Sequence, residues 1–431
     1  MIFSRYNILY YSNGSYKLFN ARTNFCAILS RDLYKALSVL KGNDFKLEAL
    51  NIPHETLQNL IEGKVIVNSH EDDDYYNLKK YLRYERAFSR TSLGLIIVPT
   101  LACNFKCPYC YEINSASKSM NLSTMDQILR FVGYTGCKTA NLCWHGGEPL
   151  LAFDQMHYLL NKLYDMQNLK IKTHSMVTNG FLLDSDKCKI LGKFNIGHIQ
   201  ITIDGNRDFH NRSRRHKLGI PTFDKILGNI ENVFTYIPSC HVTVRVNLRE
   251  ENKYQFPSLY KELKQRWKGQ NYSFDLAFVN DVNSSCNVAC LPNRGKVSLL
   301  KELSEKFGID DIETTIAPQI GGCTATYVNS IIIGPEGEIY KCWVDVGKPQ
   351  KVVDNIFENR VRNYILPSYI VGSDMFSDKK CYDCAFLPLC DGGCVVRRYN
   401  NLHGGADYDP CPLSEKDFYT LLDMYIKQKR K

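Results

Sequence analysis

Six apolar runs, each of strand length, alternate with helix-like segments between residues 93 and 279 of the sequence. This alternation predicts parallel βα units, because each helix carries the chain back to the starting end of the next strand. Six units are fewer than the eight of a closed barrel, so we expect an α/β fold with an open or partial barrel. The predicted strands are Leu93–Pro99, Asn141–Trp144, Thr173–Val177, His198–Ile203, His241–Val246 and Ser273–Val279. The helices predicted between them are Ser123–Tyr134, Phe153–Met166, Asp184–Phe194, Phe223–Tyr236 and Tyr254–Trp267.

The first 70 residues follow another pattern, which predicts a small winged-helix-like α+β domain. Two alternating segments flank Asn13-Gly14, a dipeptide typical of hairpin turns, and two helix-like segments come next. The acidic run Glu71–Asp74 interrupts this pattern, and we predict a linker near it. The predicted elements are the strands Tyr6–Tyr11, Tyr16–Asn20 and Val65–Val67 and the helices Asp32–Leu40 and His54–Ile61.

Three cysteines, Cys103, Cys107 and Cys110, stand directly after the first barrel strand with the spacing C-x3-C-x2-C. In folds of this kind the chemistry lies at the carboxyl ends of the strands, where this loop begins. Three thiolates close together on one loop suit an iron–sulfur cluster, whereas a structural zinc ion normally has four protein ligands. A cubane held by three cysteines leaves one iron free to bind a small molecule.

This motif, at the end of the first strand of a partial (β/α)6 barrel, resembles the signature of the radical S-adenosylmethionine (SAM) enzymes. The resemblance implies a [4Fe-4S] cluster whose fourth iron chelates SAM, and cleavage of SAM to a 5′-deoxyadenosyl radical that abstracts a substrate hydrogen. It also implies SAM contacts at later strand ends, where paired glycines let the backbone approach a ligand and a carboxylate suits an ammonium group. The implied SAM-binding residues are Gly146, Gly147, Glu148 and Pro149, then Asn179, Asp204 and Arg214, with Asn247 as a weaker candidate.

A second group of seven cysteines lies towards the end of the sequence: Cys323, Cys342, Cys381, Cys384, Cys390, Cys394 and Cys411. The alternative interpretation is a zinc ribbon, but the x5 and x3 spacings differ from a ribbon built on two cysteine pairs. The set resembles the seven-cysteine SPASM extension of some radical SAM enzymes, which implies two auxiliary [4Fe-4S] clusters. By that resemblance, the inner cluster uses Cys323, Cys342 and Cys394, and the outer cluster uses Cys381, Cys384, Cys390 and Cys411. Cys286 or Cys290 could supply a fourth ligand to the inner cluster, or this position stays open for substrate.

The N-terminal pattern is similar to the winged-helix modules that are fused to radical SAM peptide maturases. Such modules bind a leader peptide by adding it as a strand to a sheet edge. The predicted domains are a peptide-recognition domain at residues 1–88, a radical SAM partial barrel at 89–310 and a SPASM domain at 311–431. The expected partners are a precursor peptide or protein, bound through the N-terminal domain, and an external one-electron reductant such as flavodoxin or ferredoxin.

Composition limits the other classes of protein. The 17 cysteines are an odd number, and in a reducing compartment such residues more often ligate metal than form disulfides. The net charge of +9 permits an anionic partner but does not require a nucleic acid. No apolar stretch approaches the roughly 18 residues of a membrane span, and the first residues do not resemble a signal peptide. A cytoplasmic location and no membrane partner are therefore expected.

The leading hypothesis is a radical SAM/SPASM maturase that installs a thioether, a carbon–carbon crosslink or an oxidation on a peptide. An anaerobic sulfatase-maturating enzyme, which forms formylglycine, is the alternative. In that family an Asp directly follows the cysteine that matches Cys342, whereas this chain has Trp343 there and Asp345 two positions later. Modification of RNA is a remote alternative, supported by the net charge and by the basic segment Arg212–Lys217.

Overall fold

The computed structural model describes residues 1–47, 50–112, 117–279, 295–310, 322–358, 363–411 and 413–429. Two compact units are present, and each combines separate stretches of sequence. The first unit comprises Met1–Phe88, Thr314–Tyr327 and Pro367–Lys431, and the second comprises Ser89–Glu313 and Val328–Leu366. Cys286 and Cys290, the candidate fourth ligands, lie outside the described residues. Within the described ranges, no helix is both long enough and apolar enough to cross a membrane.

Both units contain strands and helices, which are numbered in chain order. The strands are β1 (Ile2–Phe3), β2 (Asn7–Ser12), β3 (Ser15–Asn20), β4 (Phe25–Leu29), β5 (Ile66–Val67), β6 (Ser92–Ile97), β7 (Thr139–Trp144), β8 (Lys170–Thr178), β9 (His198–Thr202), β10 (His241–Leu248), β11 (Tyr272–Phe278), β12 (Ser330–Ile333), β13 (Glu338–Tyr340) and β14 (Asp354–Asn355). The helices are α1 (Arg31–Ser38), α2 (His54–Glu62), α3 (Glu71–Phe88), α4 (Leu122–Thr135), α5 (Phe153–Tyr164), α6 (Ser185–Lys193), α7 (Arg207–Ser213), α8 (Phe223–Tyr236), α9 (Phe256–Arg266), α10 (Lys296–Phe307), α11 (Ile365–Pro367), α12 (Lys379–Tyr382), α13 (Val395–His403) and α14 (Glu415–Lys429).

Strands β6 to β11 form a parallel sheet in sequence order, each hydrogen-bonded to the next. Helices separate consecutive strands, which confirms the predicted α/β class and its six βα units. Side chains alternate along each strand: on β10, Val242, Val244 and Val246 are buried, while Arg245 and Asn247 point to the opposite face. The carboxyl ends of all six strands therefore lie at one edge, where the predicted cysteine loop begins.

Strand β12 extends this sheet on the outer side of β6, to which it pairs in parallel, and β13 and β14 continue it as antiparallel strands. The close pairing of β6 with β12 requires a glycine, because a Cβ atom on Gly94 would lie 2.4 Å from Oγ of Ser330. The stretch Val328–Leu366 thus belongs to the unit that contains the parallel sheet. Neither this extension nor the helix α7 was expected from the sequence pattern.

In the first unit, β2, β3 and β4 form an antiparallel sheet. The predicted hairpin between β2 and β3 is confirmed, and it turns at Asn13 and Gly14, whose φ angles of +50° and +75° match a two-residue hairpin loop. The sheet packs on residues from the far end of the chain, and these groups form one apolar core. Its fully buried members are Tyr6, Ile8, Tyr10, Phe19, Ala21, Met375, Leu387 and Leu422. The N-terminal sheet and the cysteine-rich C-terminal region therefore share a core.

The linker predicted near the acidic run is wrong, because Glu71–Phe88 form the 18-residue helix α3. The acidic residues occupy the first turn of this helix, where negative charge interacts favourably with the helix dipole. Asp72 is also buried, and its carboxylate accepts hydrogen bonds from the Ser4 hydroxyl at 2.9 Å and the Arg5 N–H at 2.7 Å. The charge run therefore marks the start of a helix that is tied to the N-terminal strands.

One carboxylate on α14 joins the N-terminal sheet to the C-terminal helix. Asp423 accepts hydrogen bonds from Nζ of Lys17 at 2.7 Å and from the Tyr10 hydroxyl at 3.1 Å, and the Lys17 side chain is almost fully buried. The substitution Asp423→Ala leaves this ammonium group buried without its carboxylate. We expect it to lower the free energy of unfolding by about 3 kcal/mol.

Anaerobic chemical denaturation of the holoprotein, followed by circular dichroism, measures this change. The matched control is Asp186→Ala, which removes a carboxylate from an ion pair with Lys189 whose Asp186 side chain is 84% exposed. This exposed pair contributes less than about 1 kcal/mol. Equal effects of the two substitutions would contradict the assigned core.

Candidate active site

The three cysteines of the first motif lie on the loop that follows β6. Cys107 is buried, while Cys103 and Cys110 are partly accessible. Burial raises the pKa of the Cys103 thiol to about 11 and that of the Cys110 thiol to about 12. The nearby thiol of Cys107 contributes to the rise of both pKa values. Free thiols in such surroundings stay protonated at neutral pH, so these cysteines are not suited to act as free thiolate nucleophiles.

Two glycines at the end of β7 pack directly on the backbone before these cysteines. Gly146 has a φ of +127°, and a Cβ atom there would lie 2.4 Å from the carbonyl oxygen of Thr100. A Cβ atom on Gly147 would lie 2.4 Å from the carbonyl oxygen of Ala102. The N–H groups of Gly147 and Glu148 donate to these same two oxygens at 3.1 and 2.9 Å. The glycine pair therefore fixes where the cysteine loop starts.

The carboxylate of Glu148 connects the end of β7 to the end of β8. It accepts hydrogen bonds from the Thr178 hydroxyl and the Asn179 N–H, both at 2.7 Å, and from the Leu150 N–H at 3.1 Å. Burial raises the pKa of this fully buried carboxyl group, while the three hydrogen bonds oppose the rise. The next residue, Pro149, begins a short 3₁₀ turn. The described contacts of Glu148 thus hold backbone in place.

Asn179, at the end of β8, reaches back to the cysteine loop. Its Nδ2 donates to Oδ1 of Asn104 at 2.7 Å and lies 4.0 Å from Sγ of Cys103. Its Oδ1 accepts from the N–H of Phe181 at 2.9 Å. The third strand end is therefore in direct contact with the first cysteine.

The hydroxyl of Tyr109 on the cysteine loop forms hydrogen bonds to residues at the ends of the fourth and fifth strands. It donates to the carboxylate of Asp204 and accepts from Nη1 of Arg214 at 2.8 Å and from Nδ2 of Asn247 at 3.2 Å. Burial raises the pKa of this phenol well above its usual value. Tyr109 stands between Cys107 and Cys110, so one aromatic side chain connects the cysteine motif to three predicted SAM-binding residues.

Two further residues support this cluster and were missed in the sequence. Nη2 of Arg249 donates to the Ser213 hydroxyl at 2.9 Å, and Nδ2 of Asn252 donates to the backbone oxygen of Asp204 at 2.8 Å. Both side chains are buried directly after β10. Their position at a strand end was the one signal in the sequence, but neither belongs to a recognised motif.

Several buried donors around the loop have no hydrogen-bond acceptor in the described part of the chain. They are Nε of Arg214, Nε of Arg249 and Nδ2 of Asn104. A buried donor without an acceptor costs about 1–3 kcal/mol. The unmet donors, two of them cationic, fit a ligand that carries a carboxylate, and the three thiols fit a cluster; the residues present therefore match SAM on a [4Fe-4S] cluster.

A buried acid–base pair lies beside the motif. Oε1 of Glu112 is 4.0 Å from Nδ1 of His145, and neither atom has a hydrogen-bond partner among the described residues. Burial lowers the pKa of His145 to about 3 and raises that of Glu112 to about 7. A hydrogen bond of 3.2 Å also joins Nε2 of His145 to the Tyr111 hydroxyl. The imidazole ring packs edge-on against the indole of Trp343, with the ring centroids 4.3 Å apart. Trp343 thus stands against the end of β7.

The C-terminal cysteines divide between the two units. Cys342 lies in the unit of the parallel sheet, and the other six predicted auxiliary-cluster ligands lie in the first unit: Cys323, Cys381, Cys384, Cys390, Cys394 and Cys411. Across the described ranges, no three His, Cys, Asp or Glu side chains converge on one metal ion. Ligands of a cubane each bind a different iron and stand further apart than the ligands of a single ion.

Buried cations surround the cysteines of the first unit. Nη2 of Arg398 lies 3.2 Å from Sγ of Cys381, and its Nε donates to the carbonyl oxygen of Gly392 at 2.8 Å. From α3, Nζ of Lys79 donates to the carbonyl oxygen of Pro388 at 3.2 Å, and Arg83 lies 3.8 Å from Asp391. Nη1 of Arg83 is buried without a hydrogen-bond partner among the described residues. Buried positive charge of this kind fits anionic thiolate-ligated clusters.

Comparison with known proteins agrees with this geometry. Residues 97–263 match the model of the radical SAM superfamily. A cysteine-type anaerobic sulfatase-maturating enzyme of Clostridium perfringens is 26% identical over 378 residues, which cover 76% of this chain and 95% of that relative. A serine-type anaerobic sulfatase-maturating enzyme of Bacteroides thetaiotaomicron is 24% identical over 348 residues, which cover 70% of this chain and 82% of that relative.

Solved structures share the fold. Native anSMEcpe with bound AdoMet superimposes with a TM-score of 0.62 and 20% identity, covering 78% of this chain and 98% of that chain. Streptococcus suis SuiB bound to the precursor peptide SuiA gives a TM-score of 0.55 and 15% identity, covering 95% of this chain and 98% of that chain. Both likenesses concern the architecture. With the superfamily match and the geometry of the cysteine loop, residues 97–263 form a radical SAM domain, the cofactors are SAM and [4Fe-4S] clusters, and the chain is an enzyme.

Proposed function

We propose that the enzyme is a SPASM-type maturase that modifies a ribosomally made peptide. The observation that carries the proposal is the N-terminal sheet, which shares a core with the cysteine-rich C-terminal region and whose two outer strands, β2 and β4, each pair only with β3 among the described residues. When bound, SAM and the reduced cluster supply a 5′-deoxyadenosyl radical that abstracts a substrate hydrogen. The product would carry a thioether, a carbon–carbon crosslink or an oxidised residue.

Of the two outer strands, β4 is the proposed docking edge, because β2 is already bonded to α14 through Tyr10 and Asp423. Cys26 and Ile28 are exposed along it, and the Ile28 side chain is 48% accessible. An exposed edge with apolar side chains favours pairing with another extended chain. Addition of a leader peptide as a further strand would satisfy its backbone groups and cover Ile28.

SuiB and anSMEcpe were both solved with a bound peptide, but the extent of the structural likeness to this chain differs between them and favours SuiB. SuiB, which was solved with a bound precursor peptide, resembles 95% of this chain, whereas anSMEcpe resembles 78%. The sulfatase-maturating relatives of Clostridium perfringens likewise match 76% of this chain. About a fifth of the chain is thus not matched by the sulfatase-maturating enzymes, and most of this part is matched by SuiB.

Sulfatase maturation is the second candidate, and the sequence relatives favour it. The side chain after Cys342 argues against it, because Trp343 is an indole packed on His145 and has no carboxylate to accept a proton. Modification of RNA has only the net charge and the segment Arg212–Lys217 in its support.

In this proposal, Cys103, Cys107 and Cys110 bind the SAM cluster. The remaining SAM-binding residues divide by position: Gly146, Gly147, Glu148 and Pro149 hold the loop, and Asn179, Asp204 and Arg214 approach SAM. The inner auxiliary cluster would use Cys323, Cys342 and Cys394, and the outer one Cys381, Cys384, Cys390 and Cys411. The buried cations Lys79, Arg83 and Arg398 support an assignment of anionic clusters to this region.

Iron content tests the number of clusters. Three cubanes give about 12 irons per chain after anaerobic reconstitution. The triple substitution of Cys103, Cys107 and Cys110 by Ala should leave about 8 irons, because it removes one cubane, and should abolish formation of 5′-deoxyadenosine. Iron and zinc are counted by plasma mass spectrometry.

The matched control is Cys188→Ala, which removes a buried core cysteine of α6 and should leave the iron count unchanged. A wild-type count of about 4 irons together with bound zinc would refute the two auxiliary clusters.

The Tyr109 hydroxyl offers a test of SAM positioning. Tyr109→Phe keeps the ring but removes the group shared by Asp204, Arg214 and Asn247. We expect full iron content with SAM cleavage reduced about 10- to 100-fold, equivalent to the loss of a charge-assisted hydrogen bond. The 5′-deoxyadenosine product is measured by liquid chromatography with dithionite as reductant.

Tyr158→Phe is the control, because its hydroxyl bonds to Asp126 at 2.7 Å on the outer helices. Cleavage by Tyr109→Phe at the wild-type rate would show that the strand ends do not depend on this hydroxyl.

Peptide recognition is tested at the β4 edge. Ile28→Lys places a charge where apolar contact is proposed, and should lower recovery of a bound precursor peptide about tenfold. Tagged full-length protein is captured anaerobically from its own cells, and bound peptides are identified by mass spectrometry. Removal of residues 1–88 is unsuitable, because it would expose the shared core.

Val39→Lys is the control, since Val39 is also exposed but lies at the end of α1 and not on the sheet edge. Capture of a sulfatase by the wild type, unaffected by Ile28→Lys, would favour the second candidate function.

A further inference from the structure

A group of exposed cations lies on the outer side of the cysteine loop. This basic patch consists of Lys106, Arg212, Arg215 and Lys217, all exposed. None of the four forms an ion pair with a described residue. Leu218 beside them is 80% exposed and adds an apolar surface. A cluster of unneutralised cations around an exposed apolar side chain is suited to a protein partner of opposite charge.

Backbone hydrogen bonds fix the patch to the cysteine loop. The N–H of Lys106 donates to the carbonyl oxygen of Arg215, and the N–H of Lys217 donates to that of Asn104, both at 2.8 Å. Phe105 and His216 pair as an antiparallel bridge between these bonds. The backbone that carries Lys106, Arg215 and Lys217 is therefore anchored to the cysteine loop.

The patch lies within one residue of a proposed cluster ligand. Lys106 directly precedes Cys107, which is buried. A carrier protein docked at Lys106 would therefore lie next to the loop whose cysteines would hold the cluster.

Two other arginines close to the basic patch in the sequence do not add to its exposed charge. Arg207, at the start of α7, is neutralised by an ion pair with Asp224. Arg214 lies inside the molecule, where it binds Tyr109. The four cations of the basic patch thus form a localised field next to the loop, which can steer an acidic partner to this position.

We propose that the basic patch is the docking surface for a small acidic one-electron carrier protein, of the flavodoxin or ferredoxin class, which reduces the SAM cluster. The proposal rests on the proposed function and names the partner surface for its reductive step. One electron passes from the reduced carrier to the oxidised cluster; the carrier is oxidised by one electron, and no bond or proton is transferred in this step.

The test compares two reductants on the same holoprotein. The triple variant Lys106→Glu, Arg215→Glu, Lys217→Glu should be reduced by reduced flavodoxin at least about tenfold more slowly than wild type, in stopped-flow absorbance at low salt. Reduction by dithionite, a small anion that needs no docking surface, should change by less than about twofold when it is measured at high salt, where its charge is screened. Added salt should slow the wild type towards the variant, because salt screens the attraction.

The matched control is the triple variant Lys170→Glu, Lys172→Glu, Lys193→Glu. These lysines are exposed at the opposite end of the parallel strands and lack ion-pair partners among the described residues. Their reversal produces the same change in net charge, so unchanged reduction by flavodoxin would locate the effect at the basic patch.

Two outcomes would overturn the proposal: equal rates with flavodoxin for both triple variants, or reduction by dithionite slowed as much as reduction by flavodoxin. An assay of peptide modification with dithionite as reductant distinguishes failure of the docking surface from failure of the proposed function. If the patch variant modifies peptide normally with dithionite, the proposed function stands whatever the flavodoxin result. If the wild type modifies no peptide with dithionite, the proposed function is refuted.

Discussion

The contact of Gly146 and Gly147 with the backbone of residues 100–102 is the constraint on which the rest of the site depends. With a Cβ at either position the two backbones could not approach, and the cysteine loop would move away from the strand ends. Glu148, the next residue, is hydrogen-bonded to the end of the third strand, β8. Tyr109 connects the cysteine loop to the ends of the fourth and fifth strands, β9 and β10. A single loop is therefore positioned against four strand ends by backbone packing and a few buried hydrogen bonds.

The sequence predicted the parts of the fold that have local patterns. Each strand from β6 to β11 is an apolar run, and the cysteine spacing is readable without a structure. Strand β12 was missed because it is short and pairs with β6, more than 200 residues earlier. The start of α3 was misinterpreted because a run of carboxylates suits both a linker and the first turn of a helix, and only the buried contacts of Asp72 distinguish them.

The candidate site shows the same limit. Cys103, Asp204 and Arg214 were predicted from motifs, but the hydroxyl that joins the last two to the loop belongs to Tyr109, a residue inside the motif whose role no spacing reveals. The buried cations of α3 were equally hidden, since Lys79 and Arg83 resemble ordinary exposed residues of an amphipathic segment. Their value comes from proximity to cysteines some 300 residues later, which only folding creates.

The shared core of the first unit has a consequence for synthesis. Tyr10 on β2 bonds to Asp423 on α14, and the two residues are 413 positions apart in the sequence. At roughly 5–20 residues per second, a ribosome needs about 20–80 s to make the intervening chain. Throughout that time the core around Tyr10 lacks the side chains of α14, although Tyr75 and Tyr76 of α3 can already pack against it. Completion of this core therefore waits until the last helix, α14, has been made.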